Sequence, residues 1–233
     1  MAISKTLICL ANSVRHQEHC VAGKEWTDGG PGEWIRPVHS AAKQEISTAD
    51  QTYQEGGAPN PGDFFRLTLE RPHPEGNQTE NYIIDRSKKW EAVGRASWTD
   101  VEACIDADVE TIWTVGDSSR LGENDKVPAE DRPRIVSSLM LVRPERFVLH
   151  VANEHNPFKG TNSWKGRTNF DFNGVTYRFV STDPVLWNRY VRREREADYE
   201  LQDVVLCISM VSESMNKDTT KLVAAVLERE DFE

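Results

Sequence analysis

Arg167-Thr-Asn-Phe-Asp-Phe-Asn-Gly-Val-Thr-Tyr-Arg-Phe-Val180 alternates apolar and polar residues on either side of Asn173-Gly174, a dipeptide suited to a two-residue turn with positive φ at both central positions. The stretch reads as a β-hairpin. Because strand side chains repeat every second residue, Phe170 and Phe172 share a face with Val175, Tyr177 and Phe179. Arg167, Asn169, Asp171, Thr176 and Arg178 share the opposite one.

The same alternation recurs on both sides of the hairpin. Before it, Val136 to Pro144 and Arg146 to Val151 are strand-like; after it, Val204 to Val211 and Leu222 to Glu228 form a closing pair joined by a polar loop at Ser212 to Thr220. Between them Asp183-Pro184 reads as a helix start, the Asp accepting from orphan amides and the Pro fitting the first turn. Leu186, Trp187, Tyr190 and Val191 supply that helix's apolar side, and a charged tail, Arg192 to Glu196, follows. Toward the amino end, Lys5 to Ala11, Glu33 to Val38, Phe64 to Glu70 and Asn81 to Asp85 are further strands. Gly and Pro between Ser40 and Asp63 predict an exposed loop.

The one long helical pattern starts near Thr99, with Glu102 at the acidic third position. Val101, Cys104, Ile105, Val109, Ile112 and Trp113 make an apolar stripe up to Gly116, with the acids mainly opposite. Gly116 to Pro133 is rich in Gly, Asp and Pro and reads as the boundary between two halves, residues 1–120 and 133–233. No internal repeat at a fixed period is visible. The expected class is mainly β with a few helices.

At 233 residues, with 38% hydrophobic residues and seven Trp, the chain has enough apolar material for a real core. The start of the chain has a short apolar run without a basic leader, and no stretch approaches the ~18 apolar residues of a membrane span. A cytoplasmic protein without a membrane partner is the expectation. Cys9, Cys20, Cys104 and Cys207 are scattered, as suits free thiols rather than a disulfide framework. The net charge of −10 argues against a protein that coats nucleic acid over its whole surface. Its distribution is uneven: Asp100 to Asp131 holds ten acids against Arg120 and Lys126, whereas Arg143 to Arg189 holds seven bases against four acids.

Leu7-Ile-Cys-Leu-Ala-Asn-Ser13, Trp34-Ile-Arg-Pro-Val38, Ser181-Thr-Asp-Pro184, Leu206-Cys-Ile-Ser209 and Lys221-Leu-Val-Ala224 together resemble the signatures of the prokaryotic dual OB-containing domain family, in the same order over nearly the whole chain. The resemblance implies two OB-like barrels in tandem. It brings no established activity, only a leaning toward nucleic-acid-linked roles, bacterial defence or DNA processing among them.

OB barrels bind across their strands, with aromatics as stacking platforms and cations for the backbone. Trp34 beside Arg36, and Trp164 beside Lys165 and Arg167, pair an aromatic with a cation, and Arg178 adds charge. These six are the candidate ligand-binding residues, although large aromatics are more often core than platform. The expected partner is single-stranded nucleic acid or a nucleotide; the alternatives are a protein adaptor using the acidic half, or an enzyme with an unrecognised site. His16, His19 and Cys20 lie close together, but no second pair at ligand spacing completes a metal site. Phosphate-binding Gly-rich loops and Gly-x-Ser-x-Gly are absent. Asp63, Asp85 and Asp183 are conceivable general bases, the last better read as a helix cap. No cofactor, metal or catalytic residue is expected.

Overall fold

The computed structural model describes residues 2–15, 18–40, 45–157, 160–211 and 217–233. The first barrel is built from β1 (Ile3–Arg15), β2 (Glu18–Thr27), β3 (Gly30–Val38), β4 (Asp63–Pro72) and β5 (Asn81–Ile84), in the order β1-β2-β3-β5-β4 with β4 returning to β1. β1 serves two neighbours: Ile3 to Ile8 pair with β4 and Leu7 to Arg15 with β2, past an irregularity between Cys9 and Ala11. β6 (Glu91–Arg95) flanks β4. The barrel interior holds Leu7, Cys9, Val21, Ile35, Phe65, Leu67 and Leu69 around Trp90.

The second half repeats this plan. Its first strand is broken by Arg143-Pro144-Glu145 into β8 (Leu139–Val142) and β9 (Arg146–Asn156), where proline withdraws a ladder donor. β9 pairs with β10 (Thr161–Phe172), β10 with β11 (Val175–Ser181), β11 in parallel with β14 (Thr219–Glu228), β14 with β13 (Val204–Met210), and β13 closes onto β8. With β8 and β9 taken as one bent strand, both halves have the strand order of the five-stranded Greek-key OB barrel. The repeat is one of topology, which explains why no sequence period reveals it. β12 (Ala197–Glu200) adds an edge to β9, and β7 (Lys126–Val127) pairs with β14.

The hairpin forms in the expected register. Phe172 pairs with Val175 and Phe170 with Tyr177, while Asn173 and Gly174 have φ of 49° and 73°. Phe170, Tyr177 and Phe179 are buried in ring contact with one another. A Cβ on Gly174 would meet nothing within 4 Å, so a substitution there acts through backbone strain alone. Gly174→Val is expected to lower stability by about 1 kcal/mol, read as a shift of the urea midpoint; an unmoved midpoint would contradict the turn.

Helix reading succeeds at one end and fails in the middle. α3 (Pro184–Arg189) is capped by Asp183, whose side chain accepts from the amides of Val185 and Leu186; Trp187, expected on its apolar side, is 40% exposed. The long helix to Gly116 does not exist. α2 (Trp98–Ala103) is one and a half turns long, capped by Ser97 in a capping box with Asp100 rather than by Thr99 with Glu102. The chain leaves it because the Asp106 amide and carboxylate are both engaged by Leu141 of β8, and positive φ at Asp108 and Trp113 excludes helix beyond. Nor is the region from Ser40 to Asp63 simply an exposed loop: among its described residues, α1 (Thr48–Gln51) forms, and Ile46, Gln51 and Tyr53 are buried. The segment 116–133 is laced onto the second barrel through β7 and a backbone bridge between Glu123 and Arg178.

The two barrels share a third core. The outer side of β1 and β2, with Ile8, Leu10 and Ala22, packs on Leu139, Leu141, Val205, Cys207 and Leu227 of the second barrel, with Trp98 and Val101 of α2 at the margin. Phe232, near the chain end, returns to the first half and packs against Trp98 and Arg95.

Candidate nucleic-acid interface

In an OB barrel the ligand face is the outer side of the second and third strands. In the first barrel these are β2 and β3, whose outer side adjoins the seam just described: Ala22 is buried in it, and Trp26 and Trp34 pack against it half-buried. Trp34 is half-buried against it, donating Nε1–H to Asp106 Oδ2 at 3.2 Å, with Lys24 Nζ 5.4 Å from the ring centroid. Arg36 is 7% exposed; its Nη2 donates to Ser138 Oγ at 2.9 Å and lies 3.2 Å from the Glu80 carboxylate. Both residues thus hold the barrels together. Asp106 joins in, accepting from Lys24 Nζ at 2.6 Å and from the Leu141 amide at 2.7 Å.

In the second barrel the corresponding strands are β10 and β11, and their outer face is open. Gly166, Thr168, Phe170 and Phe172 point inward, which sends Lys165, Arg167, Asn169 and Asp171 outward. Arg178 is exposed beside Asn169, donating Nε–H to its Oδ1 at 2.5 Å. Arg167 is held by Glu154 through two bonds of 2.5 and 2.9 Å, so much of its charge is neutralised locally. Lys165 has no ion pair among the described residues. A cleft of about 510 Å³ brings Lys165 and Arg167 together with Arg120 and His155. Trp164 is not on this face: as Lys165's neighbour along the strand it points the other way, half-buried against the second barrel's core.

Arg120 escaped the sequence reading because it stands in the acidic stretch, which nothing local marks as folding back. Its Nη2 donates to the His155 carbonyl at 3.2 Å. The acids around it are partly consumed: Asp125 is buried and accepts from the Ser119 amide and hydroxyl at 2.6 Å each, and Asp106 belongs to the seam. The segment therefore lies beside the cationic strands instead of forming a separate repelling surface.

Other candidates resolve structurally. Asp63 accepts from Arg95 and the Asn60 amide, and Asp85 caps its own turn through Ser87. Asp183 Oδ2 accepts from the Val226 amide at 2.8 Å, tying α3 to β14. His16 lies outside the described residues; His19 Nδ1 contacts Asn12 Oδ1 at 2.9 Å, and burial pushes its pKa down. The described residues contain no group of three or more His, Cys, Asp or Glu placed to hold a metal ion. Cys9, Cys104 and Cys207 are buried thiols whose pKa values burial raises, which suppresses the reactive thiolate. None of the described helices is long and apolar enough to cross a membrane.

No curated protein matches the chain. Among solved structures, a chain of "Structure and Conformational Change of a Replication Protein A Heterotrimer Bound to ssDNA" is similar with a TM-score of 0.34 and 9% identity, over 96% of this chain and 49% of that one. This chain therefore spans about half the length of that one. The family described as dual OB-containing domain matches residues 5–226, a span that runs through both barrels and the seam between them. The chain belongs to the dual OB-containing domain family.

Proposed function

We propose that the protein is a binding module for single-stranded nucleic acid, with the outer face of β10 and β11 as its ligand surface. One observation carries this reading. Of two barrels with the same strand order, one has its ligand face partly covered by the other, while the second presents Lys165, Arg167 and Arg178 with Arg120 alongside. A strand's phosphates would meet these cations. No aromatic side chain points outward from β10 or β11 to stack a base: Phe170, Phe172, Tyr177 and Phe179 are buried inside the barrel and Trp164 packs against its core. Binding on this face is therefore chiefly electrostatic, with little sequence preference and a steep salt dependence.

The test uses dye-labelled single-stranded and duplex oligonucleotides titrated at two salt concentrations. The parent is expected to bind single strands at low salt. Lys165→Ala combined with Arg178→Ala should flatten the log–log salt slope by about 1.4, roughly 0.7 per lost single-strand phosphate contact. These two are chosen because Arg167 is locked to Glu154 and its loss would confound binding with stability. Absence of low-salt binding by the parent, or an unchanged slope in the double variant, would overturn the reading.

A further inference from the structure

Apart from the cationic face, the seam itself contains a slot of about 190 Å³ between the barrels. Its origin is steric. Facing sheets stand about 10 Å apart and fill the gap with interleaved side chains. Elsewhere in the seam Ile8, Leu10, Leu141 and Leu227 do so. At the slot, bordered by larger residues such as Leu139, Met210 and Leu222, Ala11, Ser13 and Ala22 on one sheet stand opposite Ser209 and Ala224 on the other and are too small to fill the gap.

Two further features argue for a built site rather than a packing fault. Each of the five sequence stretches that mark the family resemblance sends a residue to this slot: Ser13, Arg36, Thr182, Ser209 and Ala224 are one from each. Polar capacity there is also unspent. Ser13 is 7% exposed, and its hydroxyl makes no hydrogen bond among the described residues. Gln78 accepts through Oε1 from Asn81 at 3.2 Å, while its amide nitrogen donates to no described residue. Both groups open onto the slot and are not sealed in the interior, so each is free to hydrogen-bond a guest there.

We propose that this slot binds a neutral, planar heteroaromatic ligand of nucleobase size. A gap between two facing sheets, left by the small residues Ala11, Ala22 and Ala224, selects a flat body. The slot's volume of about 190 Å³ exceeds the ~150 Å³ of a cavity that takes a benzene ring and is on the scale of a one- or two-ring heterocycle. Hydroxyls and an amide at its edge match a ring that carries both donors and acceptors. Charge excludes a phosphate: Arg36 is already balanced by Glu80, and Glu45 at the slot adds a carboxylate. The slot thus differs in chemistry from the cationic face and does not depend on it. The ring arrives either as a free base or nucleoside or as a base turned out of a strand.

The experiment is calorimetric titration and ligand-observed NMR on the full chain with the common free bases, their nucleosides, the 5′-monophosphates and, as a non-planar control, ribose. At least one base or nucleoside should bind saturably, its 5′-monophosphate at least about tenfold more weakly, the ratio set by a repulsion near 1.4 kcal/mol, and ribose not at all. Ser13→Ala should weaken binding about fivefold, and Ala224→Leu, which fills the slot, should abolish it. If Ala224→Leu does not fold, Ser13→Ala and Gln78→Ala carry the comparison. Lys165→Ala with Arg178→Ala should leave nucleoside binding unchanged, which separates the slot from the strand-binding face. Competition between a nucleoside and a short oligonucleotide would identify the turned-out base as the source, and its absence the free ligand. No binding of any base or nucleoside at millimolar concentration, or parent-like binding by both Ser13→Ala and Ala224→Leu, overturns the proposal.

Discussion

Arg36→Ala is expected to remove about 3–5 kcal/mol of stability in urea unfolding with no ligand present, the range for breaking one side of a buried ion pair. The partner left behind is Glu80, 5% exposed, whose carboxylate would keep only the Ser138 hydroxyl and a 3.4 Å contact with the Ser138 amide. Ser138 precedes β8, and Ser209, which also accepts from Arg36 at 3.4 Å, lies in β13, so the loss falls on the contact between the barrels. Arg36→Met with Glu80→Leu should recover most of the loss, because removing both charges leaves no buried carboxylate unpaired. A single variant within about 1 kcal/mol of the parent would show that the Arg36–Glu80 pair contributes little to the seam.

That residue illustrates how far the sequence can be read. The Asn173-Gly174 turn and the Asp183 cap are local devices, settled by φ and by a side chain reaching its own backbone, and both formed as expected. The Trp34 and Arg36 pairing was legible as an aromatic near a cation. Which outer face the other barrel would cover was not, since that depends on contacts between strands far apart in the chain. The pairing of Trp164 with Lys165 failed for a simpler reason, the alternation of strand side chains, which the hairpin reading had already used. The false helix to Gly116 shows tertiary structure overriding period: Val101 and Cys104 pack in the seam, Ile112 in the second barrel's core, and Asp106 between them is taken by three donors. A stripe that serves two cores imitates one helix face.

A pH effect of opposite sign to that of the buried thiols is expected from Lys221, which is fully buried in β14 with its Nζ donating to the Thr114 carbonyl at 2.5 Å and 5.9 Å from the ring centroids of Tyr177 and Phe179. Burial pulls its pKa down to about 8 against the partial support of Asp125 and Asp117. An unfolded lysine titrates near 10.4. Below pH 8 both states hold the proton and the burial penalty is constant. Between pH 8 and about 10.4 the native chain has released a proton that the unfolded chain still binds, so Lys221 makes stability rise with pH, by roughly 3 kcal/mol across the window. The buried thiols act oppositely: unfolded cysteines ionise from about pH 8.5, whereas burial pushes the folded Cys104 thiol up to about 12 and raises Cys9 and Cys207 as well. A raw stability profile therefore mixes the two, and the informative quantity is a difference. Lys221→Met keeps the length of the side chain and leaves the cysteines in place, so the parent's stability relative to the variant should climb by roughly 3 kcal/mol between pH 7.5 and 10.4. The measurement is urea unfolding of both proteins at intervals across that range, with reductant present throughout. A difference that stays flat would mean that Lys221 reaches water in solution, and the packing of β14 against Thr114 would have to be redrawn.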